Sequence, residues 1–283
     1  MKVRRPAVAG SWYADNSQSL RAQIENCFVH KIGPGRLPEI KERGPRDIVG
    51  LACPHAGYMF SGPVAANAYY SLAFDGRPDT VVLFGPNHYG FGSALAIMNE
   101  GVWRTPLGDV EIDSQTANQI LRESQIIDVD DTAHAREHSI ELQLPFLQYL
   151  CGSSFKLVPI SFLMQDLESS REVGRAAARA LCGKNGLVIA STDLTHYEPH
   201  ERADQKDRLA IDAAIKMDEE LYYSTVESQR ISTCGYGPVV AAITAAKLLN
   251  AKRARLLCYK TSGDITKDFS SVVGYASISF MKG

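Results

Sequence analysis

Ile48–Cys53 (IVGLAC) is apolar throughout, too short for a helix, and breaks at Pro54-His55-Ala56-Gly57-Tyr58. A run of this kind reads as a strand buried on both faces. Two others follow it. Thr80–Gly85 (TVVLFG) ends in Pro86-Asn87-His88-Tyr89-Gly90, and Leu187–Ser191 (LVIAS) ends in Thr192-Asp193-Leu194-Thr195-His196-Tyr197. Helical patterns lie between them. Leu20, Ile24, Cys27 and Phe28 share one face, Pro63 opens an Ala- and Tyr-rich helix, Asp166 to Cys182 is rich in helix formers, and Pro238 opens an Ala-rich helix ending near Leu249-Asn250. Further strands are expected at 95–98, 156–162, 255–260 and 272–280, the last in an edge or mixed part of the sheet because its side chains alternate. The stretch 31–46, with three Pro and three Gly among charges, is a surface loop. Buried strands alternating with helices predict an α/β chain. Its expected architecture is a three-layer α/β/α sandwich with a mixed, largely parallel central sheet, in one domain over residues 1–283.

Composition narrows the function. The 283 residues are 45% hydrophobic and 22% charged, with a formal charge of −2, so the chain is neither disordered nor a basic nucleic-acid binder. No run of 18 apolar residues points to a membrane span, and the start MKVRRPAVAGSWY is too short in apolar residues for a signal core. The six cysteines (Cys27, Cys53, Cys151, Cys182, Cys234, Cys258) are scattered without a CxxC. They read as thiols, mostly buried, in a cytoplasmic protein.

The chemistry concentrates where the three buried strands end. If they are parallel, their carboxyl ends share one crevice, and that crevice receives His55, His88, Asp193 and His196. Ser232-Thr233-Cys234-Gly235-Tyr236-Gly237-Pro238 adds a cysteine at a helix start, where the helix dipole should lower the thiol pKa. Glu137-His138-Ser139-Ile140-Glu141, with His134 before it, is the last candidate. His138 and Glu141, three apart, would share a helix face and support the site or touch substrate, as would Asn87 and Tyr58. The spacing is not HExxH, and no GxGxxG, P-loop or GxSxG is present. Two imidazoles with a thiolate or carboxylate, and with positions left open, suit a divalent transition metal. A carboxylate third ligand favours non-haem Fe(II), and Cys234 in its place admits copper and zinc. His196 would then exchange protons, with Asp193 as its orienter or a further ligand.

PAVAGSWY (6–13), PHAGYMFSG (54–62), GPNHYG (85–90), EHSIELQLPFL (137–147), STDLTHY (191–197) and TCGYGP (233–238) together resemble the Memo family. That family is similar in fold to the LigB-type class III extradiol dioxygenases. The resemblance implies a metal pocket in which His55, His88 and Cys234 hold iron or copper. Asp193 and His196 fall on the family's other pocket positions, and His196 matches the dioxygenases' acid/base histidine. Cys234 stands where those enzymes use a carboxylate, and a thiolate on an oxygen-exposed metal is oxidisable, which argues against ring cleavage. Eukaryotic members are associated with cell motility and phosphotyrosine-peptide binding, prokaryotic ones with a radical-SAM enzyme and a small third protein. The expected function is a cytosolic iron or copper protein with a redox role on a small molecule or peptide. A phosphopeptide-binding module and a zinc-dependent hydrolase are the alternatives.

Overall fold

A computed structural model describes residues 2–283. In chain order the strands are β1 (Val3–Arg4), β2 (Ile48–Cys53), β3 (Thr80–Pro86), β4 (Leu95–Ile97), β5 (Val102–Thr105) and β6 (Gly108–Glu111). They continue as β7 (Asp128–Val129), β8 (Lys156–Phe162), β9 (Gly186–Ser191), β10 (His196–Glu198), β11 (Arg253–Thr261) and β12 (Val272–Met281). The helices are α1 (Ser17–Val29), α2 (Gly62–Asp75), α3 (Ser114–Glu123), α4 (Leu144–Cys151) and α5 (Leu167–Leu181), then α6 (His200–Ile215), α7 (Glu219–Ser228), α8 (Tyr236–Leu248) and α9 (Ser262–Thr266). Four helices start at a side-chain cap: Asn16, Asp113, Asp166 and Asp218 each accept from a backbone N–H three residues on. α2 carries Pro63 in its first turn, where the missing N–H costs nothing.

The main sheet runs β10-β12-β2-β9-β3-β8-β4-β7, with β11 also paired to β12. Its centre, β2-β9-β3-β8, is parallel, and antiparallel pairings flank it at β12 and β4. The three expected runs are therefore adjacent and parallel, with their carboxyl ends side by side. β12 occupies the mixed part, inside the sheet between β2 and β11. Side-chain alternation divides the core in two. Val81, Leu83, Leu187 and Ile189 pack with α1, α2 and α4, whereas Val82, Phe84, Val188 and Ala190 pack with α3 and α5 to α8. That is the three-layer sandwich. The polar helices α6 and α7 and the short strands at the N-terminus lack a strong apolar period and escape a reading by periodicity.

Two close approaches bring loops onto the strand ends. A Cβ on Gly85 would lie 2.4 Å from Ser139 Oγ and 2.7 Å from Ile140 Cγ1. A Cβ on Gly235 would lie 2.6 Å from the Ser191 carbonyl oxygen. Gly85→Ala is thus expected to push the 137–143 loop off β3 and to cost about 1–3 kcal/mol, read as a lower midpoint in denaturant. A variant as stable as the parent would contradict this packing. Among the cysteines, Cys27, Cys53 and Cys151 are buried as expected, but Cys182 is exposed because it follows the end of α5 at the surface. Cys182 should therefore react first with a thiol reagent, with Cys27 and Cys151 silent until unfolding, since burial raises their pKa to about 12 and about 11.

Candidate metal centre

The site is assembled from the ends of β2, β3 and β9 and from the 137–143 loop laid across them. His55 follows β2, His88 follows β3, and His138 comes from the loop. One ring nitrogen of each lies within 4.8 Å of those of the other two. His88 and His138 stack with ring centres 4.4 Å apart, and both rings meet His55 edge-on. His55 and His138 are buried, while His88 stands at the accessible side. A cavity of about 830 Å³ opens over them, and Asp193 and His196 also line it.

The hydrogen-bond network assigns the tautomers. Ser191 Oγ donates to the Ser139 carbonyl (2.7 Å) and accepts from Gln143 Nε2 (2.7 Å). Its single proton is thereby committed, so His55 Nδ1, at 2.9 Å, must be the donor to it. His55 Nε2 is left with a lone pair. His88 Nδ1 donates likewise to the Glu137 carboxylate at 3.0 Å, which leaves His88 Nε2 free to ligate. Glu137 also accepts the backbone N–H groups of His88, His138 and Ser139. Burial alone would raise this carboxyl, but the His88 bond and the neighbouring imidazoles outweigh it and hold the pKa at about 2. His196 Nδ1 donates to the Ser232 carbonyl (2.8 Å), so its Nε2 is the basic atom.

Burial and the neighbouring imidazoles keep His55 well below its ordinary pKa, and burial above all lowers His138 to about 4. Both are therefore neutral at pH 7, the form that binds a metal. Burial lifts Asp193 to about 6 against the N–H of His55, which donates to it at 2.8 Å.

Cys234 Sγ lies 3.2 Å from His55 Nε2 and accepts the Asp193 N–H at 3.2 Å. Its thiol is not lowered as the helix-start argument predicts. Burial, then the Asp193 carboxylate, push its pKa well up, and Cys234 precedes Tyr236, the first residue of α8, by two positions. In the metal-free protein it is a thiol against the His55 lone pair.

Other expectations need correction. His138 and Glu141 do not share a helix face, because 137–140 is an irregular turn and only Glu141–Gln143 forms a 3-10 turn. Glu141 points away from the cavity and binds Arg4, Tyr13 and the N–H groups of Ala7 and Val8. Asn87 closes its own turn, accepting from Tyr89 and Gly90 and donating to the Phe91 carbonyl. Tyr58 is buried with its hydroxyl on the Leu142 carbonyl. These three shape the walls without lining the cavity. Asp193 does not orient His196, since Ser232 does. The residues overlooked are Glu137, Ser191 and Trp12, whose ring packs 4.3 Å from that of His138. All three stood inside the quoted motifs, but nothing local showed which way they point.

The donor chemistry fits a metal ion. Three imidazoles converge beside a thiol, those of His55 and His88 with their outer nitrogens committed to Ser191 and Glu137, and His138 Nδ1 is buried with no hydrogen-bond partner. Among the described residues no helix is long and apolar enough to cross a membrane. The fold is similar to that of an uncharacterized protein from Escherichia coli K12, with a TM-score of 0.55, 14% identity, and coverage of 82% of this chain and 99% of that one. A MEMO1 family protein of Methanopyrus kandleri is 52% identical over 99% of each chain. Another, of Methanothermobacter thermautotrophicus, is 50% identical over 98% of this chain and 100% of its own length. The family model described as Memo-like protein matches residues 4–279, and the chain belongs to that family.

Proposed function

We propose that this protein is a metal-dependent redox protein in which His55, His88 and Cys234 hold one iron or copper ion. His138 stands beside them as a fourth donor. The pair of committed outer nitrogens carries this reading: Ser191 and Glu137 each fix a histidine with its free lone pair turned inward. When bound, iron or copper supplies one-electron chemistry at the floor of the cavity. The chain's own contribution is a desolvated pocket, a base at His196 Nε2, and a buried carboxyl at Asp193 that holds the His55 backbone. His196 and Asp193 are thus the groups proposed to handle protons on a bound small molecule.

Metal analysis after anaerobic purification from iron- and copper-replete cells should give about one ion per chain. A metal-free protein under those conditions would refute the proposal. Because the Cys234 thiol is protonated before binding, uptake should release about one proton per ion. Affinity should then rise about tenfold per pH unit until other groups titrate, as a pH-indicator titration can measure. Uptake without proton release would remove Cys234 from the ligand set.

The convergence of His138 with His55 and His88 favours a second reading, since three imidazoles and an open position also suit catalytic zinc. Cys234→Ser separates the two. Loss of metal supports the thiolate site, and full retention of zinc with iron and copper absent supports the three-histidine site.

A further inference from the structure

The walls of the 830 Å³ cavity carry information about charge that the metal site does not. Among the described residues lining it there is no lysine and no arginine, while two aspartates, Asp193 and Asp268, are present. Three cations in the flanking segments have partners elsewhere. Arg4 is paired with Glu141, Arg136 lies over the Phe91 ring, and Lys267 Nζ donates to the Asp264 carbonyl. A phosphate or sulfate would find no guanidinium fork or ammonium in this lining.

Asp268 lines the cavity near its mouth. Its Oδ1 accepts both the N–H and the hydroxyl of Ser270, at 2.9 and 2.6 Å, and its Oδ2 has no partner among the described residues. Tyr275 gives a second, independent sign. It is 2% exposed, lines the same cavity, and its phenol has no hydrogen-bond partner among the described residues. Its hydroxyl opens into the cavity with no protein partner, so it is available to a polar group that enters. Trp12, Phe60 and Tyr197 supply flat apolar walls alongside it.

We propose that the cavity takes an amine with a flat apolar body, its ammonium on Asp268 and its body beside Tyr275, and that its side chains by themselves disfavour phosphorylated ligands. This rests on reading the cavity over the histidines as a ligand site. The ammonium supplies the donors that Asp268 Oδ2 lacks, and the aromatic walls favour a cation over an anion. A phosphopeptide module would need the opposite lining.

The test compares 2-phenylethylamine, 2-phenylethanol and 2-phenylethyl phosphate, which share one body and differ in charge. Binding is measured by calorimetry on zinc-loaded and metal-free protein, with metal content determined on the same samples. The amine should bind about threefold to tenfold tighter than the alcohol, and in the metal-free form the phosphate should bind weakest of the three. Asp268→Asn should abolish the amine's advantage and leave the alcohol unchanged. Tyr275→Phe should weaken both amine and alcohol by about fivefold. A phosphate ester that equals or exceeds the amine in the metal-free form overturns the proposal, as does an Asp268→Asn protein with the parental ranking. A chain that takes up no metal yet ranks the probes as expected defeats the metal reading alone. One that loads metal yet prefers the phosphate when metal-free defeats this one alone.

Discussion

Glu141→Gln should destabilise the protein by about 3–5 kcal/mol, the largest effect expected of a single conservative substitution here. Glu141 is fully buried and Arg4 nearly so, with side-chain exposures of 0% and 4%. The Arg4 guanidinium also donates to the carbonyls of His134 and Glu137 and lies 4.4 Å over the Trp103 ring. Glutamine keeps the shape but removes the charge, so Arg4 is left buried without its counter-ion. It also turns an amide N–H₂ toward donors, since the carboxylate accepts from Ala7 N, Val8 N and the Tyr13 hydroxyl. At this chain length the loss corresponds to a fall in Tm of about 10 °C, measurable by calorimetry. Adding Arg4→Met should recover part of it, because it removes the buried guanidinium that Glu141→Gln leaves without a counter-ion. An unchanged Tm in Glu141→Gln would show that the pair is not the clamp described. The clamp also bears on the site, because it ties down the segment whose Trp12 packs on His138.

Glu137→Ala should weaken metal retention by about tenfold to a hundredfold, measured by chelator competition. The carboxylate fixes the His88 tautomer and holds the turn that delivers His138, so its removal loosens two donors at once. Equal retention in parent and variant would remove Glu137 from the site. Its ionisation has a separate signature. The folded pKa of about 2 lies below that of an unfolded glutamate near 4.3, so its stabilisation is complete above the unfolded value. It is lost as the pH falls toward about 2. Glu137→Gln should flatten the acid limb of the stability curve between those values, and an unaltered limb would contradict the assignment.

Legibility differed by distance along the chain. The cores of β2, β3, β8 and β9 are short apolar runs, and the punctuation by Pro and Gly just after β2 and β3 marks where each stops. Both are local properties, so strand ends and their histidines could be named from residues alone. The 137–143 loop is different. Its residues have the spacing of a helix, but Glu137 accepts three backbone N–H groups and Ser139 bonds to the Pro86 carbonyl, which holds the segment out of a helix. Those partners lie up to 53 positions away, and no periodicity reports them. The thiol of Cys234 shows the same limit. Its place at a helix start argues for a lowered pKa, but desolvation and Asp193, reached only through the fold, reverse the sign.

The amino-acid order alone carries the alternation of buried strands and helices, and hence the crevice in which His55, His88, Asp193 and His196 would meet. These follow from side-chain period and turn chemistry, which act over a few residues. Long-range packing settles which donors converge, which tautomer His55, His88 and His196 hold, and that Glu141 serves Arg4 instead of the cavity. Those outcomes depend on hydrogen bonds and desolvation between residues far apart in the chain, from 36 positions between His196 and Ser232 to 179 between His55 and Cys234.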